Sequence, residues 1–201
     1  MLFDTHLHLI YPERLRYPWL DKVELLNKPS KYDEYKKRAS RLGIKGCLHM
    51  EVDVAEDFIR EETALIGELI ENEHGPLKGA ISACRPESKE FPEFFDWSQQ
   101  NPIIKGFRRV LHVVPDEISK SEIFRTNVKR FSGTGLTFDI CVSANQLNLV
   151  TELIDFCPDV RFILDHCGVP DIKGGYIREW KQQITELSKR ENLIAKISGI
   201  I

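Results

Sequence analysis

Two histidines stand one residue apart near the start of the chain, in the run Phe3 to His8 that reads FDTHLH. In a strand successive side chains point to opposite faces, so His6 and His8 are expected to share a face, with Leu7 on the other. Their imidazoles could then converge on one ion or one substrate, in metal binding or proton transfer. Other residues with useful chemistry lie in apolar runs further along: His49 and Glu51 in IKGCLHMEV, Arg108, Arg109 and His112 in IKGFRRVLH, and His166 in VRFILDHCG. Each has an ordinary alternative. A lone strand histidine is commonly a satisfied polar core group, Arg108 could be a structural ion-pair partner, His49 and Glu51 could support ligands from behind, and Trp19 could simply pack the first loop. Asp165 precedes His166 and by alternation should point away from it, which gives it no catalytic duty.

The elements that must position these residues are read from periodicity. Strands are expected at LFDTHLHL, IKGCLHMEV, LKGAISACR, IKGFRRVLH, LTFDICV, VRFILDHCG and LIAKISGI. Helical patterns fill the intervals at Lys31 to Gly43, Glu56 to Gly75, Pro92 to Gln100, Ser121 to Gly135, Asn145 to Cys157 and Tyr176 to Glu191. Gly43, Gly75 and Gly135 stand where left-handed C-caps would end three of those helices. Strand and helix alternate without a linker, which predicts right-handed crossovers, a parallel sheet and one α/β domain over residues 1–201. No glycine-rich fingerprint follows the first strand, so a (β/α)8 TIM-barrel type fits better than a doubly wound sheet. Seven strands are present, so the barrel is expected to be incomplete at its C-terminal end, as a fragment or an incomplete gene reading. In such a barrel His6, His8, His49, Glu51, Arg108 and His166 lie near the C-terminal ends of strands, where active sites form.

Composition narrows the classes. Hydrophobic residues make up 42% and charged residues 29%, with a net charge of -3, an ordinary globular balance with no positive field to recommend nucleic acid or an anionic membrane. No run is apolar enough to span a bilayer and no signal peptide is visible at the N-terminus, so a cytoplasmic protein is expected. The five cysteines show neither paired zinc spacing nor a C-x-x-C, and are expected to be reduced thiols.

FDTHLH, YPWL (Tyr17 to Leu20), HMEVD (His49 to Asp53), GFRRVLH (Gly106 to His112), FILDHCGVPDI (Phe162 to Ile172) and AKISGI (Ala195 to Ile200) together resemble the amidohydrolase superfamily. Within it the pattern resembles amidohydrolase family 2, the branch that includes L-fuconolactonase and 2-pyrone-4,6-dicarboxylate lactonase. The resemblance covers essentially the whole chain in order. It implies a (β/α)8 barrel that hydrolyses small lactones or related carboxylated or sugar-derived esters and amides. Residue by residue it matches His6 and His8 to the strand-one pair, His166 to the histidine after strand six, and Arg108 to the arginine of the G-x-R strand. The family's aspartate at the end of strand eight has no counterpart here, which puts turnover in doubt.

Lactone hydrolysis needs a polarised carbonyl, an activated water and a stabilised oxyanion. His6, His8 and His166 could hold one Zn²⁺, or could act without metal by hydrogen-bonding the carbonyl and orienting water. Arg108 suits a substrate carboxylate or hydroxyl, with Trp19, His49 and Glu51 as further substrate contacts. The expected partner is a small-molecule substrate, with a homo-oligomer as the further option. The competing readings are a non-catalytic barrel fragment or binding module, and a family-related decarboxylase using the same histidines.

Overall fold

A computed structural model describes residues 1–175 and 177–199. All seven expected strands are present: β1 Leu2–Leu7, β2 Ile44–Met50, β3 Leu77–Ala83, β4 Ile104–Val110, β5 Thr137–Cys141, β6 Arg161–Leu164 and β7 Leu193–Ala195. The helices are α1 Tyr32–Leu42, α2 Ile59–Asn72, α3 Phe91–Gln99, α4 Glu117–Lys120, α5 Glu122–Lys129, α6 Leu147–Phe156 and α7 Ile177–Leu187. Every strand ends before the run that suggested it. Tyr176, the expected start of the last helix, and Ile200, the expected end of the seventh strand, lie outside the described residues.

The chain divides into two compact units, residues 1–83 with 98–106 and residues 84–97 with 107–201. In the first, β1, β2, β3 and the beginning of β4 follow in chain order, with β1–β2 and β2–β3 parallel. Helix α2 turns Ile59, Glu62, Thr63, Leu65, Ile66 and Leu69 inward at three- and four-residue spacing, the stripe that covers β2 and β3. Tyr32 of α1 is fully buried, and its hydroxyl accepts the Leu77 amide at 2.9 Å.

In the second unit the rest of β4, then β5, β6 and β7 follow in order, with β5–β6 and β6–β7 parallel. Its core is a chain of phenylalanines. Ring centroids are 5.4 Å apart for Phe107 and Phe131, 5.4 Å for Phe131 and Phe138, and 6.1 Å for Phe138 and Phe162, in tilted and edge-on contacts. Parallel strands in chain order, each linked to the next through helix, make the fold α/β of the (β/α)8 barrel type, with seven strands. Among the described residues no helix is long and apolar enough to cross a membrane.

Of the three glycine caps expected, only Gly43 is one, with φ 71° after α1. Helix α2 ends at Asn72, and Gly75 is required instead because the Tyr32 hydroxyl occupies the place of a Cβ. Helix α5 ends at Lys129 with Arg130 as its cap, and Gly135 lies in the loop beyond.

Candidate active site

The first unit supplies the histidine pair. Its geometry depends on an irregularity in β1: Asp4 pairs with Cys47 and Leu7 with His49, so three steps on β1 oppose two on β2. Cys47 and His49 face the helices, since Cys47 contacts Tyr35 of α1 and His49 contacts Glu62 of α2. Asp4 shares that side, with its Oδ2 accepting from the Tyr35 hydroxyl at 2.9 Å. Strict alternation would send His6 and His8 there too. The bulge places Leu7 on the helix side instead, and leaves its neighbours His6 and His8 on the other. Their rings meet edge to face, 4.9 Å between centroids at 87°, and both side chains are half-buried. The shared face expected for this pair is present, although β1 itself ends at Leu7.

His8 Nδ1 lies 3.0 Å from the Met50 carbonyl. A carbonyl only accepts, so Nδ1 carries the proton of this ring. Trp19 Nε1 donates to the Val52 carbonyl at 2.8 Å, which fixes the indole over the loop after β2.

His49 and Glu51, expected as substrate contacts, both lie deep in the first unit. His49 is 1% exposed, with Nε2 3.3 Å from Glu62 Oε1, and the same oxygen accepts the Val52 amide. Glu51 is equally buried, and its Oε2 accepts the Asp53 amide at 2.6 Å. Both are held by protein partners within the unit and offer almost no surface to a substrate.

The second unit supplies His166. β6 stops at Leu164, and the chain then runs through a tight turn in which His166, Cys167 and Val169 have φ of 52°, 53° and 43°, with Gly168 at 69°. Left-handed backbone costs a residue with a Cβ about 1 kcal/mol or more, so this turn is held by its surroundings. The Cys167 amide donates to the Lys196 carbonyl at 3.1 Å, the Lys196 amide to the Leu164 carbonyl at 2.9 Å, and Trp180 Nε1 to the Cys167 carbonyl at 2.7 Å. Because the strand ends, alternation no longer governs Asp165, and the expectation that it points away from His166 fails: ligand atoms of the two lie within 4.8 Å of each other.

Asp165, fully buried, is the centre of an ion network that sequence reading did not anticipate. Arg108 Nη1 lies 3.3 Å from its Oδ2 and Lys196 Nζ 3.0 Å from its Oδ1. Lys196 Nζ also lies 2.6 Å from Oδ2 of buried Asp139, whose Oδ1 accepts from Thr137 at 3.2 Å. Arg108 is itself only 5% exposed, so its fork holds Asp165 rather than open solvent. Arg109, next along β4, pairs instead with Glu87. Burial pushes the Asp139 carboxyl up to about 6, against the pull of Lys196 and with a further push from Asp165. His166 is held below the usual imidazole range by burial, with Asp165 opposing and Arg108, Lys196 and His112 adding to the effect. His112 is exposed, its Nδ1 3.6 Å from Cys141 Sγ. His166 Nδ1 lies 2.8 Å from Ser198 Oγ. Lys196 and Ser198 sit in the AKISGI run, whose alternating polar residues were the available signal; Asp139 was hidden within an otherwise apolar strand.

A cleft of about 320 Å³ opens beside this turn, lined by Asn145, Val169, Asp171, Glu179, Trp180 and Gln183 among others. Its described lining carries two carboxylates and neither Lys nor Arg.

In each unit histidine side chains lie at or just past the C-terminal ends of parallel strands, the end at which barrel enzymes place their chemistry. Residues 3–201 match the family model described as Amidohydrolase, and the chain belongs to that family. It is 23% identical over 217 residues to the uncharacterized protein y4mH of Sinorhizobium fredii, covering 99% of this chain and 73% of that protein. Over 102 residues it is 24% identical to the L-fucono-1,5-lactonase of Burkholderia ambifaria, covering 50% of this chain and 35% of the lactonase. An amidohydrolase from Burkholderia multivorans, solved with HEPES bound, superposes with a TM-score of 0.84 at 20% identity, covering 99% of this chain and 70% of that one. The same protein solved with zinc bound gives 0.83, at the same identity and coverage.

Proposed function

We propose that the chain acts as a hydrolase of small lactones, with His6, His8 and His166 as ligands to one divalent cation and with Asp165 beside them. The observation that carries this reading is the His6–His8 pair: two half-buried rings in edge-to-face contact, 4.9 Å between centroids, with the His8 ring oriented through Nδ1 by the Met50 carbonyl. The donor set fits the group, because neutral imidazoles with a carboxylate suit zinc and related divalent ions. Bound there, such an ion supplies Lewis-acid polarisation of a carbonyl oxygen and acidifies water.

The chain's own residues do the remaining work. Arg108 and Lys196 hold the Asp165 carboxyl in place beside His166. The cleft beside Val169 offers apolar surface and polar groups for a ring-sized substrate. The two carboxylates in that cleft favour a neutral, hydroxylated lactone over a dicarboxylate, which they would repel. The lactonase relative supports the reaction class, and the zinc-bound relative supports the ion.

The test is metal analysis of the purified chain, followed by a panel of sugar lactones, pyrone dicarboxylates and simple esters with and without chelator. Ring opening of a neutral lactone that chelator abolishes and zinc restores is the expected result. A metal-loaded chain that opens no member of the panel overturns the reading.

A further inference from the structure

We propose that Ser198 is the positioning residue for His166: its Oγ accepts the Nδ1 proton of the imidazole and so sets the tautomer and orientation of the ring. The two atoms lie 2.8 Å apart. The hydroxyl is held by backbone, since the Ser198 amide donates to the Lys196 carbonyl at 3.1 Å, and that same carbonyl accepts the Cys167 amide. The segment from Lys196 to Gly199 therefore braces the left-handed turn and the ring together. Gly199, at φ 62°, lies so close that a Cβ on it would sit 3.2 Å from His166 Cβ and Cγ, so the ring has little room to turn on that side.

His8 provides the internal comparison. Its Nδ1 is bound to a carbonyl, which can only accept, so Nδ1 carries that ring's proton. Ser198 could donate or accept, and acceptance gives His166 the same state as His8. The use of that state rests on the ligand reading above; the tautomer itself does not.

The experiment is two-bond proton–nitrogen correlation on the full chain labelled with ¹⁵N in its histidine rings, at about pH 8 where imidazole is neutral. The His166 signals are assigned by their loss in His166→Gln. The expected result is a wild-type His166 protonated at Nδ1, a shift toward Nε2 protonation in Ser198→Ala, and the wild-type pattern kept in Ser198→Thr. A wild-type ring protonated at Nε2, or an unchanged pattern in folded Ser198→Ala, overturns the proposal. Should Ser198→Ala fail to fold, the wild-type tautomer and its retention in Ser198→Thr decide. Zinc competition against a chromophoric chelator runs in parallel, with affinity in Ser198→Ala expected to fall about 10- to 100-fold. A chain that takes up no zinc yet shows the expected tautomers upholds Ser198 and counts against the metal reading alone.

Discussion

His8 Nδ1 donates to the Met50 carbonyl across 3.0 Å, so the ring's state is set by the last residue of the neighbouring strand. His8→Ala removes the imidazole and its hydrogen bond to the buried Met50 carbonyl. Since His6 and His8 are half-buried, either alanine variant is expected to lower kcat/KM on a responsive lactone about 100-fold or more, and to shift Tm by only a few degrees. Parallel kinetics and calorimetry check this, and full activity in both variants would remove the pair from the chemistry.

Lys196 separates two buried carboxylates. Lys196→Met leaves Asp139 and Asp165 without the cation between them, and is expected to cost about 3 kcal/mol in urea unfolding near neutral pH. The deficit should shrink in acid, where the carboxylates protonate. Wild-type stability in this variant would mean that the network contributes nothing.

Asp139 carries a pH signature. Its carboxyl is about 6 in the folded chain against 3.8 as the unperturbed value, so between those values the folded state holds a proton that the unfolded state has released. Stability from this group is therefore lost as pH rises from about 4 to about 6. Asp139→Asn cannot ionise, and relative to it the wild type should lose on the order of 2 to 3 kcal/mol across that window. Parallel Tm-against-pH curves for the two proteins would refute the shift.

His49 tests the division between chemistry and support. Turned to Glu62 and buried, it should behave as a structural partner: His49→Ala is expected to cost about 2 kcal/mol of stability with KM and kcat near wild type in the remaining folded protein. A change in KM without loss of stability would restore it as a substrate contact.

Much of the fold was legible because a strand that ends in polar residues and a helix that carries an apolar stripe differ in period, and every one of the seven runs kept its identity. The shared face of His6 and His8 was legible too, though by a route alternation does not describe: Asp4, two residues before His6, faces the opposite way across the bulge. Alternation misled at Asp165, where the strand had already ended. It could not reveal the joining of Lys196 to Asp139 and Asp165, since that depends on which strand ends lie side by side. His49 looked like a site residue by type and spacing; alternation could not show that it is buried against Glu62 on α2.

The turn that carries His166 also bears on the order in which the molecule matures. Three of its side-chain-bearing residues adopt a handedness that the isolated chain disfavours, and the atoms that hold them there belong to Trp180, Lys196 and Ser198. Those partners leave the ribosome after the turn does. During synthesis, then, His166 reaches this orientation only after residues 180–198 have followed it and packed against the turn.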